Sequence, residues 1–102
     1  MILVSDKAHV RTITLNRPNA MNAFNGELFD ALTEGLLEAG VDSNVRVVVL
    51  TGAGKAFSTG LDLSEVGKDL KPPKHGVPGL FSTLVDFPKP LLLAINGFAV
   101  GF

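Results

Sequence analysis

The apolar positions of this chain come in blocks whose spacing changes along its length. Ile2 to Val4 is a short apolar run, and Val10-Arg11-Thr12-Ile13-Thr14-Leu15 is a β-branched run with partial alternation. With Ser5, Asp6 and Lys7 as turn residues between them, the two runs predict a hairpin. Asn16-Arg17-Pro18-Asn19-Ala20 ends the second strand, because Pro18 has no N–H for a ladder and pushes Arg17 toward extended geometry. From about Gly26 to Ala39 the period lengthens. Leu28, Leu32 and Leu36 recur every fourth residue, and Phe29 and Leu37 widen the stripe, while Glu27, Asp30, Glu34 and Glu38 lie mostly off it. That pattern predicts an amphipathic helix, with its stripe in the core. Asn25 is placed to cap its start, and Gly40 stands where a terminating glycine belongs.

Val45 to Leu50 is a nearly continuous apolar run, as expected of a strand covered on both faces. Gly52-Ala53-Gly54 ends it in a turn. Residues 67–79 are rich in Gly, Pro and Lys and predict an exposed loop. Leu80 to Phe87 predicts a short helix, which Pro88-Lys89-Pro90 stops, and Leu91 to Ile95 predicts a second buried strand. Asn96-Gly97 then turns into Phe98-Ala99-Val100-Gly101-Phe102. Strands alternating with helices indicate the α/β class, with no strong internal repeat. Two buried-type strands around one helix need further layers to cover them. The expectation is a truncated sequence rather than a complete small protein.

Composition narrows the classes of function. A chain of 102 residues is one domain at most. A domain of that size buries only roughly 60–65% of the surface its unfolded chain exposes. The residues are 46% hydrophobic and 19% charged, ordinary values for a globular protein. The formal net charge of −1 offers no basic excess for nucleic acid or an anionic membrane. With no cysteine there is no disulfide framework and no thiolate metal site. The first ten residues lack the basic start and apolar run of a signal peptide, and no stretch approaches the ~18 apolar residues of a membrane helix. A cytoplasmic or matrix-like location is the expectation, with no nucleic-acid and no membrane partner.

The Gly-rich segment after the central strand, Leu50 to Gly60, invites two nucleotide readings, and both fail. A P-loop needs glycine where Val49 stands and Ser or Thr where Ala56 follows Lys55. A dinucleotide fingerprint starting at Gly52 needs glycine where Phe57 stands. Taken alone, the segment is a plain strand-to-loop turn. Two other Asn/Gly/Pro-rich segments, residues 16–23 and 96–102, also follow strands. The three are able to converge on one site, and a Gly-rich turn leaves backbone N–H groups free to point at a ligand.

Together these segments resemble the crotonase superfamily of enoyl-CoA hydratases and isomerases. Residues 16–23 match its motif N-R-P-x-A-x-N-A, and residues 56–63 match A-F-S-x-G-x-D-L. Lys89, Pro90, Asn96, Gly97, Ala99 and Gly101 fall on its third motif. The motifs occur in the family's order and spacing over the whole chain. The resemblance implies an α/β, crotonase-like (ClpP/crotonase) spiral of β-β-α units, truncated here after the third motif. Residues 1–102 would be the N-terminal part of that single domain.

The resemblance also implies a site. One oxyanion-hole N–H would come from Leu61 and the other from Phe102, where many hydratases have glycine and isomerase-type members accept larger residues. Thr59, Gly60, Leu61, Asp62 and Leu63 would line the coenzyme A site, with Ala20 and Met21 beside the pantetheine arm. Either removing a proton next to a thioester or adding water across the conjugated double bond gives an enolate. Two preorganised N–H donors stabilise its oxygen by roughly 3–4 kcal/mol each. Lys55 reads as a solvated surface lysine rather than a phosphate ligand. Asp62 reads as a loop-fixing carboxylate rather than a base, since a base must reach the α-carbon. His9 and His75 share no ligand spacing and read as surface histidines, Glu65 reads as solvated, and no metal site is expected.

In hydratases of this family two glutamates move the protons, and both follow the third motif, so residues 1–102 hold neither. Gly60-Leu61-Asp62-Leu63, Asp86-Phe87-Pro88-Lys89-Pro90 and the bulky residue after Gly101 look most like delta-3,delta-2-enoyl-CoA isomerases. The alternatives are a non-catalytic acyl-CoA-binding homologue or another crotonase chemistry, hydrolytic or dehalogenase-like. The resemblance implies an acyl-CoA thioester substrate with no separate cofactor, and a homotrimer or hexamer.

Overall fold

A computed structural model describes residues 1–65 and 72–101. Strand β1 (Ile2–Lys7) is followed by β2 (Val10–Leu15), helix α1 (Gly26–Val41), β3 (Val47–Gly52), β4 (Ala56–Ser58), helix α2 (Gly76–Val85), β5 (Leu91–Leu93) and β6 (Phe98–Ala99). Short 3-10 turns lie at Pro18–Ala20 and Leu63–Glu65. The larger sheet has the order β1-β2-β3-β5, and β4 and β6 form a separate pair. Strands β1 and β2 are antiparallel, whereas β2–β3, β3–β5 and β4–β6 are parallel.

The hairpin forms as expected, but its turn is Ala8-His9 rather than Ser5 to Lys7. Both turn residues have positive φ, 51° and 66°, the sign that matches a two-residue turn to strand twist. Asp6 stays in the ladder because it pairs in register with Arg11, and its Oδ1 accepts the Arg11 Nε–H at 2.8 Å. Arg11 shares the inward face of β2 with Ile13 and Leu15, and is buried. A buried guanidinium needs paired charge. Asp6 and Asp42 supply it directly, and Glu38 stands 3.6 Å away.

Helix α1 lays Leu28, Phe29, Leu32, Leu36 and Ala39 against Ile13, Leu15, Val48 and Leu50 of the sheet. Asn25 caps it as expected, its Oδ1 accepting the Leu28 N–H at 2.9 Å. The helix does not stop at Gly40; it runs to Val41, with Asp42 as its C-cap. The end is closed by the Lys89 ammonium, which donates to the carbonyls of Ala39 at 2.6 Å and Asp42 at 2.7 Å. Cationic donors suit the negative end of a helix, so no left-handed glycine is needed. Leu37, expected in the core stripe, is half exposed.

Helix α2 begins at Gly76, four residues ahead of the expected Leu80, and ends at Val85 before the expected Phe87. Its early start has a remote cause. The Asp30 carboxylate on α1 accepts the N–H groups of Lys74 at 2.8 Å, His75 at 2.7 Å and Gly76 at 3.3 Å. Pro78 in the first turn is tolerated because its missing N–H would be unpaired there. Of the expected 67–79 loop, residues 67–71 lie outside the described residues.

Strand β3 covers the expected central strand from Val47 onward. Strand β5 is the sheet's edge, and Leu92, Leu93 and Ile95 are exposed rather than buried as expected. Among the described residues, no helix is long and apolar enough to cross a membrane.

Candidate functional site

The segment after β2 folds back on itself. The Arg17 carbonyl accepts the N–H groups of Ala20 at 3.1 Å and Asn22 at 2.9 Å. Met21 and Asn22 are both left-handed, with φ of 53° and 56°. That conformation is tolerated by Asn and uncommon for Met, and such residues cluster where a structure holds a site. Asn22 is fully buried. Its Oδ1 accepts the Arg17 N–H at 2.8 Å, and its Nδ2 donates to the carbonyls of Ala53 and Ala56, each at 2.9 Å. One side-chain amide therefore sews the first segment to the turn after β3.

Asn96 does the same from the third segment. Its Nδ2 donates to the carbonyls of Gly54 at 3.1 Å and Ala56 at 3.3 Å, and its Oδ1 accepts the Gly52 N–H at 3.1 Å. The Ala56 carbonyl is thus shared by two asparagines from opposite ends of the chain. The Val100 N–H adds a bond to the Ser58 carbonyl at 3.0 Å, and β6 pairs with β4. All three motif segments meet at β4, a strand absent from the sequence-based expectation.

The loop after β4 carries the expected donor. Gly60 and Gly101 have φ of 88° and 97° and lie face to face. A Cβ added to Gly60 would stand 3.0 Å from the Val100 carbonyl oxygen and 3.1 Å from the Gly101 Cα. Only glycines permit this approach. The Ser58 hydroxyl bonds the Asn22 carbonyl at 2.8 Å and accepts the Gly60 N–H at 3.1 Å. Phe24 and Leu61 then form an isolated parallel bridge. The Phe24 N–H donates to the Gly60 carbonyl at 2.7 Å, and the Asp62 N–H donates to the Phe24 carbonyl at 2.9 Å. No peptide here is cis. In a trans peptide the C=O and N–H point in opposite directions, so the Leu61 N–H points away from Phe24. Among the described residues, nothing accepts it.

Asp62 has both oxygens occupied. Oδ1 accepts the Ser64 N–H at 3.0 Å and the Ser64 hydroxyl at 2.6 Å, and Oδ2 lies 2.8 Å from Arg17 Nη2. The Ser64 hydroxyl first, and Arg17 next, hold its pKa below the ordinary carboxylate value. An acid kept ionised and fully bonded is a poor base and a good loop anchor.

The other expected site residues fall around this loop. Thr59 Oγ1 lies 3.4 Å from the Met21 carbonyl, so residues 20–22 and 59–62 are neighbours. Ala20 is half-buried, while the side chains of Met21, Leu61 and Leu63 are exposed, as is Lys55. Phe102, the expected second donor, lies outside the described residues. His9 sits in the hairpin turn with Nδ1 2.9 Å from the Asn44 carbonyl. His75 is half-buried rather than on the surface, with Nε2 3.4 Å from Glu34. Among the described residues no group of His, Cys, Asp or Glu is arranged to hold a metal ion. Sequence reasoning left Arg17, Asn22, Ser58 and Asn96 without roles. The one signal was the density of Asn in two of the three motifs.

The Enoyl-CoA hydratase/isomerase family model matches residues 5–102. A 2,3-dehydroadipyl-CoA hydratase of Escherichia coli K12 is 40% identical over 98% of this chain and 40% of its own length. A 1,2-epoxyphenylacetyl-CoA isomerase of the same organism is 38% identical over 90% of this chain and 38% of its own length. The crystal structure of an enoyl-CoA hydratase from Mycobacterium marinum superposes with a TM-score of 0.89 at 46% identity, covering 94% of this chain and 48% of that one. The chain therefore spans less than half the length of these relatives. The match extends through all three motif segments and the crotonase-type α/β fold that joins them. This chain belongs to the enoyl-CoA hydratase/isomerase family.

Proposed function

We propose that the whole protein acts on enoyl-CoA thioesters, by hydration or double-bond isomerisation, and stabilises an enolate oxygen through backbone donors. The observation that carries this reading is the Gly60–Leu61 peptide, whose carbonyl is tied to the Phe24 N–H while its own N–H is turned outward. A donor fixed before substrate arrives loses nothing to reorganisation when charge develops on the thioester oxygen. The Phe24 bond also polarises the peptide and strengthens its N–H as a donor. The relatives named above are two hydratases and an isomerase, and each name specifies a CoA derivative.

In this reading Phe102 supplies the second donor through its backbone, and its ring limits the space for the acyl chain. The backbone of Thr59 to Leu63 receives the nucleotide end of coenzyme A, and Ala20 and Met21 flank the pantetheine arm. Coenzyme A enters as part of the substrate, so no separate cofactor is invoked. Proton transfer belongs to groups other than Asp62, whose oxygens are taken by Ser64 and Arg17. A trimer, or a hexamer of two trimers, is the assembly proposed.

The test uses the whole protein with short enoyl-CoA and the matching free acid. Turnover read from loss of the conjugated thioester absorbance, with calorimetric binding favouring the thioester, is the expected result. Equal affinity for thioester and acid with no turnover would reject the reading.

A further inference from the structure

Arg17 belongs to the first motif segment, yet none of the roles above uses its guanidinium on the donor peptide. The side chain is 24% exposed and reaches two places at once. Nη1 donates to the Ala23 carbonyl at 2.8 Å, and Nη2 lies 2.8 Å from Asp62 Oδ2. Ala23 immediately precedes Phe24, and Asp62 immediately follows Leu61. The Phe24–Leu61 bridge is isolated, outside any regular strand. Its two hydrogen bonds have no ladder beside them to keep the segments in register. The Arg17 fork occupies the place of that ladder, holding one oxygen on each side of the bridge.

Arginine suits this task because its planar group presents several donors in a fixed geometry, which an ammonium does not. The carboxylate it holds is pinned at its other oxygen by Ser64, so the clamp closes on a rigid loop. An ion pair near the surface adds little to overall stability. A donor displaced by a fraction of an ångström is felt strongly in a transition state.

We propose that Arg17 is a positioning residue that keeps the isolated Phe24–Leu61 bridge closed and thereby aims the Leu61 N–H. The proposal rests on the reading of Leu61 as an oxyanion donor. Loss of the clamp lets the Gly60–Leu61 peptide rotate, which weakens transition-state stabilisation more than ground-state binding.

The experiment compares wild type, Arg17→Ala and Arg17→Lys in the whole protein, with circular dichroism to confirm folding. Expected for Arg17→Ala is a kcat about 10- to 100-fold lower with KM within about threefold. The carbonyl stretch of a bound enoyl thioester is expected to move back toward its solution value. Added guanidinium ion is expected to restore part of the activity of Arg17→Ala and none of that of Leu61→Pro. Arg17→Lys, which keeps the charge but not the fork, is expected to fall between. Folded Arg17→Ala with wild-type kcat and an unchanged carbonyl stretch would overturn the proposal. So would loss of kcat and KM together with the stretch unchanged, which marks general damage to the site. If Arg17→Ala does not fold, the same two readings on Arg17→Lys decide. A wild type that binds thioester without turnover rejects the enzymatic reading instead, and the carbonyl stretch still decides the role of Arg17. A wild type that binds no thioester overturns both.

Discussion

The Leu61 N–H is a backbone group, so the side chain that bears its name has little to do with its chemistry. Half of the Leu61 side chain is exposed. The carbonyl of its peptide is held by the Phe24 N–H, and Gly60 lies against Gly101. Leu61→Pro removes the N–H itself. In a folded protein that change is expected to lower kcat by roughly 100- to 1,000-fold, the cost of one oxyanion donor. Leu61→Ala keeps the donor and is expected to stay near wild type. Steady-state kinetics on the two variants checks the pair, and wild-type turnover by folded Leu61→Pro would remove position 61 from the mechanism.

The two helices are each stabilised by a residue distant in sequence. Lys89 closes the C-terminal end of α1, with its ammonium on the carbonyls of Ala39 and Asp42. Lys89→Met keeps the aliphatic stem and leaves both carbonyls without the cation. It is expected to cost about 1–3 kcal/mol in denaturant unfolding, the range for losing charged hydrogen bonds. An unchanged midpoint would show that water replaces the ammonium. Asp30 opens α2 through the N–H groups of residues 74–76. Burial acts to raise its pKa, but the three backbone donors outweigh it and hold the carboxyl below its ordinary value of 3.8. A depressed folded pKa means that the stabilisation is complete above 3.8 and is lost as pH falls through the folded value. Amide exchange at the start of α2 is therefore expected to rise relative to α1 on acidification below about pH 4. Asp30→Asn is expected to flatten that difference, and an identical acid profile in the variant would assign it to another group.

At the scale of the molecule, α1 packs on the sheet and α2 packs on α1, while the last strands are left open. Leu92, Leu93, Ile95, Phe98 and Val100, in and just after β5 and β6, are 54–63% exposed. Exposed apolar side chains in this number invite association. A polypeptide of residues 1–102 by itself is expected to bind a hydrophobic dye and to sediment as aggregates. A monomeric mass with a sharp, cooperative melt would contradict that expectation.

The period of Leu28, Leu32 and Leu36 and the Asn25 cap were enough to place α1, because both act within a few residues of one another. The three motif segments were legible for the same reason: turn chemistry is written in adjacent Asn, Pro and Gly. The sequence by itself therefore determined the α/β class, the principal elements and the three segments that meet at β4. Contacts between distant residues decided the rest. Asp30 started α2 early and Lys89 carried α1 past Gly40. The convergence on β4 was decided the same way, by Asn22 and Asn96 sharing the Ala56 carbonyl. A hydrogen bond across dozens of residues leaves no local period. Only the folded chain brings its donor and acceptor within 3 Å or so of each other.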